Sequence, residues 1–213
     1  MRVTQLLAIL CLFCTSSLFA QDLPRVSLET SAGTIVLELD SERAPTSVEN
    51  FLGYVNSGFY SDTLFHRVID GFMIQGGGFS PKFMRKRTES PIRNEANNGL
   101  KNKAYTIAMA RTNSPHSATS QFFINTVDNP NLDHTEPTGR GWGYAVFGRV
   151  IEGFDVVDQI GTVATGSAGP FPRDVPKEAI VIEAATMMDD EKPEAAEATP
   201  TAETTEPVGD TQQ

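Results

Sequence analysis

Few residues in this chain could do chemistry, and their spacing narrows what that chemistry is. The three histidines, His66, His116 and His134, have no acid or thiol partners at metal-ligand spacing, so a zinc centre is not indicated. A Ser-His-Asp triad assembles in space and spacing does not exclude it, but the G-x-S-x-G elbow is missing. The run Gly76-Gly77-Gly78 is followed by "FSPKF", with neither the lysine nor the helix start of a phosphate-binding loop. A tight turn or a close backbone approach is the better expectation for it. Lys82, Arg85, Lys86 and Arg87 form one short basic cluster, which suits a solvated loop better than a nucleic-acid surface.

Three strand-like stretches hold polar groups among apolar ones. Strand alternation puts Gln121, Phe123 and Asn125 of "SQFFIN" on one face, opposite Phe122 and Ile124. By the same rule Met73 shares a face with Gln75 in "FMIQG", and Arg67 shares one with Phe65 and Ile69 in "LFHRVI". Each stretch offers an amide or a guanidinium beside a large apolar side chain. Pattern alone leaves two readings open: an ordinary half-exposed sheet face, or one wall of a ligand pocket.

The elements that must carry these groups follow from periodicity. "RVSLET" and "TIVLEL" alternate around the turn "SAG" and predict a hairpin. Val48, Phe51, Leu52 and Val55 recur at helical spacing, with Thr46 and Glu49 placed for a capping box and Gly58 for a stop. Further strands are predicted in "TLFHRVI", "FMIQGG", "YTIAMA", "SQFFINT", "YAVFGRVI" and "AIVIEAATM". A second, shorter helix is predicted in "EGFDVVDQIGTV", with Phe154, Val157 and Ile160 on one face. Many short strands with two helices predict an antiparallel sheet or barrel that the helices cover.

Both ends differ from the middle. Arg2, the apolar run Leu6 to Phe13 and the small residues ending at Ala20 have the order of a secretory signal peptide over 1–20, cut after Ala20. The run is too short to span a bilayer, so stable membrane insertion is not expected. Cys11 and Cys14 lie inside it, which leaves the mature chain without a disulfide or a thiol nucleophile. Residues 189–213 carry eight acids, one lysine, three prolines and no aromatic residue, the composition of a disordered acidic tail. The tail's charge of −7 accounts for most of the chain's −10. Residues 21–188, one domain, carry only −4 (15 basic against 19 acidic), so the acidity says little about the ligand.

The segments "FHRVIDGFMIQGGGF" and "ATSQFFIN" resemble the two signature regions of the cyclophilin family of peptidyl-prolyl cis-trans isomerases. "VENFLGYVNSGFY", "TIAMAR" and "GYAVFGRVIEGFDVVDQI" fall in the family's order, and the resemblance covers roughly Arg25 to Thr186. It implies a mainly β fold, an eight-stranded antiparallel closed barrel capped by two α-helices. It implies Arg67 as the catalytic guanidinium, with Gln75 and Gln121 binding the substrate backbone or holding Arg67. Phe72, Met73, Phe123 and Leu132 would line a proline pocket with His66 at its edge. Ala110 and Arg111 would flank the residue before proline. No cofactor and no metal are implied.

With the signal peptide, the chain resembles a bacterial periplasmic cyclophilin. Its expected partners are proline-containing, folding exported polypeptides, and the chain is expected to be a monomer. A non-catalytic chaperone or scaffold that binds proline segments is the alternative. Two positions depart from the family pattern. Asn131 stands where many members have a tryptophan, which implies weak cyclosporin binding, and Arg111 stands where eukaryotic members commonly have asparagine.

Overall fold

A computed structural model describes residues 23–188. The predicted signal peptide and the acidic tail lie outside the described residues. The first hairpin forms as its alternation predicts, from β1 (Arg25–Thr30) and β2 (Gly33–Leu39). Helix α1 (Pro45–Asn56) follows and buries Val48, Phe51 and Val55. Next come β3 (Thr63–Ile69), β4 (Met73–Gly76), β5 (Thr106–Met109) and β6 (Phe122–Asn125). A single 3₁₀ turn (Pro130–Leu132) precedes β7 (Val146–Glu152) and helix α2 (Phe154–Gly161). The chain ends with β8 (Thr165–Ala168), β9 (Phe171–Pro176) and β10 (Val181–Met188).

Eight of these strands close into an antiparallel barrel in the order β1-β10-β3-β4-β6-β5-β7-β2. Closure matters because a closed sheet leaves no unpaired edge. The interior is filled by alternate side chains of the strands, among them Leu28, Ile35, Leu37, Ile74, Ile107, Phe122, Ile124 and Phe147. Helix α1 adds Phe51, whose ring packs 5.1–5.6 Å from those of Tyr60, Phe122 and Phe147. A second apolar cluster, Met73, Ala108, Phe123 and Val146, lies apart from this interior, on the opposite faces of the same strands.

Three expectations from pattern require correction, and a fourth feature was not foreseen. The capping box at α1 does not form, because no side chain of the helix start caps it. Instead the Glu95 carboxylate accepts the amides of Thr46 and Ser47 at 3.0 and 2.8 Å and the Ser47 hydroxyl at 2.7 Å. A distant anion thus neutralises the orphan donors and the positive end of the helix. In α2, Val157 and Ile160 are buried, but Phe154 is 41% exposed and stands edge-on to Tyr105.

The third correction concerns β3. Phe65 pairs with Gly76 and Arg67 with Gln75, so two steps on β3 match one on β4 and His66 is the extra residue of a bulge. Phe65 therefore packs in the barrel core while Arg67 lies on the other face with Ile69, not with Phe65. The fourth feature is the hairpin β8–β9, a separate two-stranded sheet that pattern did not reveal. It packs beside β3, with Phe171 5.0 Å from the ring of Phe79 and 5.3 Å from that of His66.

Candidate active site

The bulge decides where Arg67 goes. With the guanidinium turned off the barrel interior, Arg67 stands over a cavity of about 230 Å³ on the outer face of the sheet. Phe72, Met73, Gln75, Ala110, Arg111, Phe123, Leu132 and Tyr144 line the rest of it. The floor is apolar: Met73 and Phe123 are 2% and 4% exposed and pack with Phe72, Ala110, Leu132 and Tyr144. Met73 and Gln75 alternate with buried Ile74, as Phe123 does with Phe122 and Ile124, so the strand period itself separates floor from core.

A hydrogen-bonded series sets the polar wall. Arg67 Nη1 donates to Gln75 Oε1 at 3.4 Å, and Gln75 Nε2 donates to Gln121 Oε1 at 3.0 Å. Because Gln121 takes the amide end of Gln75, the carbonyl end is left facing the guanidinium. Gln121 lies directly over Gly78, where a Cβ would come within 2.5 Å of its Cγ. The glycine run is thus a close backbone passage, and Gln121 fills the space that a side chain would take.

Buried amides set the far wall. Asn129 donates through Nδ2 to Phe72 O at 2.9 Å and to Asn125 Oδ1 at 2.7 Å. Asn102 accepts from Asn125 and donates from its backbone to Asp133 Oδ1. These bonds clamp both ends of the 3₁₀ turn that carries Leu132. Arg111 is fastened as well: Nε donates to Gly143 O at 2.9 Å and Nη1 to Thr112 O at 3.0 Å. Its Cζ lies 4.5 Å from the centroid of the Tyr144 ring, and that ring stands edge-on to Phe123.

Of the ten residues singled out in the sequence, eight line the cavity and Gln121 adjoins it through Gln75. His66 does not line it. Its ring is 3% exposed, packs against Phe79 and Phe171, and leaves Nδ1 without a partner. Burial above all lowers its pKa from 6.5 to about 4, so the ring is neutral at pH 7. Asn131 is exposed. Trp142 does not line the cavity; it packs against His116 and His134 and donates from Nε1 to Asn94 O. Two residues went unnoticed in the sequence: Tyr144, in a glycine-rich loop, and Asp174, whose Oδ2 lies 3.9 Å from Arg67 Nε. Among the described residues no three His, Cys, Asp or Glu side chains gather as a metal-binding group.

The family model described as "Cyclophilin type peptidyl-prolyl cis-trans isomerase/CLD" matches residues 25–187. The chain belongs to the cyclophilin family. Its relatives include peptidyl-prolyl cis-trans isomerase cyp18 of Streptomyces antibioticus, 62% identical over 163 residues, 76% of this chain and 98% of the relative. Peptidyl-prolyl cis-trans isomerase B of Escherichia coli K12 is 56% identical over 162 residues, 76% of this chain and 98% of that one. Among solved structures, a cyclophilin-type isomerase of Cryptosporidium parvum superposes with a TM-score of 0.66 at 27% identity, covering 79% of this chain and 99% of the other. The same protein has been solved in the presence of the dipeptide Ala-Pro, with a TM-score of 0.65. This cyclophilin is a peptidyl-prolyl cis-trans isomerase with a closed eight-stranded barrel, and the cavity beneath Arg67 is its candidate active site.

Proposed function

We propose that this cyclophilin isomerises X-Pro bonds in folding exported polypeptides, with Arg67 supplying the transition-state contact. The observation that carries the reading is one positioned guanidinium over an apolar cavity that holds no other cation free to move, Arg111 being tied to the backbone. An X-Pro bond is only about 0.5–1 kcal/mol more stable in trans, yet exchange takes tens to hundreds of seconds. The barrier of about 18–20 kcal/mol is the amide resonance lost on twisting. In the twisted state the imide nitrogen becomes pyramidal and regains its lone pair. An N–H of Arg67 aimed there binds the twisted state better than either planar state.

Each wall has a part in this. Phe72, Met73, Phe123 and Leu132 hold the pyrrolidine ring while the acyl side turns. Ala110 and Arg111 flank the residue before proline, and Gln75 and Gln121 keep Arg67 in place or bond the substrate backbone. His66 supports the site from behind the strand. No nucleophile and no general base enter this scheme.

A charge-assisted hydrogen bond contributes about 1.5–3 kcal/mol, so Arg67→Ala is expected to lower kcat/KM by roughly 10- to 150-fold in a protease-coupled assay on a short X-Pro peptide. Equal activity of the two proteins would remove Arg67 from its role. Lack of wild-type activity would favour the non-catalytic chaperone. The periplasm is proposed from residues 1–20 alone; fractionation of a bacterial host with N-terminal sequencing should find Gln21 first in the periplasmic protein. An intact Met1 in the cytosolic fraction alone would refute export.

A further inference from the structure

We propose that Asp174 is a positioning residue for Arg67, supplied by a hairpin outside the barrel. The inference rests on the reading of Arg67 as the group that meets the imide nitrogen. An arginine side chain has five N–H bonds in a rigid fork, so a contact on each edge of the fork orients the remaining donors. Gln75 Oε1 holds Nη1. Asp174 Oδ2 faces Nε, on the other side of the fork, at 3.9 Å. With Nη1 bonded to Gln75 and the Nε edge facing the carboxylate, the guanidinium is oriented and the N–H bonds of Nη2 are left for the substrate.

The hairpin is built to present this carboxylate. Phe171 at its start is fixed against Phe79, His66 and Phe83, so β9 runs alongside β3. Asp174 then adopts φ 65°, a left-handed conformation that costs most residues but is tolerated by Asp and Asn. Its side chain is 23% exposed, between Arg67 and Arg173, whose Nε lies 3.5 Å from the same oxygen. Two guanidiniums face one carboxylate oxygen, at distances that steer Arg67 without locking it against the substrate.

The test is Asp174→Asn, which keeps both the shape and the left-handed backbone and removes only the charge. For a partly exposed pair, the expected loss is about two- to fivefold in kcat with KM little changed. Raising the salt concentration should bring wild type toward the variant, because the pair is screened. In nitrogen-labelled arginine spectra, the Arg67 Nε–H should exchange with water faster in the variant. An unchanged kcat, or a lowered kcat with unchanged Nε–H exchange, would overturn the proposal. Arg67→Ala measured in parallel separates the two failures. If it too is fully active, the reading of Arg67 falls; if it is crippled while Asp174→Asn is not, only the role of Asp174 falls.

Discussion

Gly78→Ala tests the polar wall of the site by displacing Gln121, while Arg67 and the apolar floor keep their own side chains. Gly78 is not among the glycines with positive φ, so the backbone accepts alanine. The added Cβ would lie 2.5 Å from Gln121 Cγ and 2.7 Å from its Cδ and Nε2. Ordinary contact begins near 3.4 Å, so Gln121 must retreat by about 0.9 Å (3.4 − 2.5). A displacement of that size is enough to take the 3.0 Å bond from Gln75 Nε2 to Gln121 Oε1 past the useful range of a hydrogen bond. Gln75 then loses the partner that keeps its carbonyl toward Arg67. Misplacing a catalytic group by about 1 Å can cost 10²-fold; with Asp174 still beside Arg67, a loss of about tenfold in kcat/KM is expected. Gln121 is flexible enough to move, so the melting temperature should hardly change. In a Gln121→Ala background nothing is left to displace, and the second substitution should have no further effect. Activity within twofold of wild type, or the same loss in both backgrounds, would refute the relay. Gly77→Ala, one residue earlier, should do the opposite. At φ +76° its Cβ would meet the Tyr60 and Phe122 rings at 2.8–2.9 Å, costing about 1–3 kcal/mol of stability by urea unfolding.

Three more outcomes follow from particular contacts. Glu95→Ala removes the acceptor for two helix amides and a hydroxyl, and should lower the unfolding free energy by about 1–2 kcal/mol in urea titration. For His66, the folded pKa of about 4 lies below the ordinary 6.5, so the unfolded chain takes up the proton first as pH falls. The stability is therefore fully present above pH 6.5 and is lost as pH falls toward 4, by about 3 kcal/mol at 1.36 kcal/mol per unit. Replacing His66 with Phe should flatten that part of the stability profile, and an unchanged slope would show that other groups cause it. Tyr144→Ala should raise KM about two- to tenfold, because it removes both the ring under Arg111 and the wall beside Phe123.

What the sequence disclosed and what it hid divide along one physical line. Strand alternation alone placed Gln75 with Met73 on one face of β4, and Gln121, just before β6, with Phe123. The helix stripe Val48, Phe51 and Val55 was equally plain. The hidden features depend on partners remote in sequence. Glu95 caps a helix whose own sequence offered a local cap. Asp174 sits in "PFPRDVP", where three prolines and a left-handed residue mask a strand. Tyr144 gains its place from contacts to Phe123 and Arg111, which no period reports.

The bulge at His66 shows why such departures gather at the site. Under strict alternation, Phe65 in the core would carry Arg67 into the core as well, and a guanidinium without an anion there would be costly. One extra residue turns Arg67 outward while Phe65 and Val68 both stay in the barrel interior. The extra residue must then be housed, and it is: His66 packs against Phe79 and Phe171 with a nitrogen left unpartnered. The same Phe171 anchors the hairpin that brings Asp174 to Arg67. The bulge that aims the guanidinium and the hairpin that steadies it thus share one aromatic contact. Loosening Phe171 should therefore disturb Arg67 from both sides at once, although no atom of Phe171 lines the cavity.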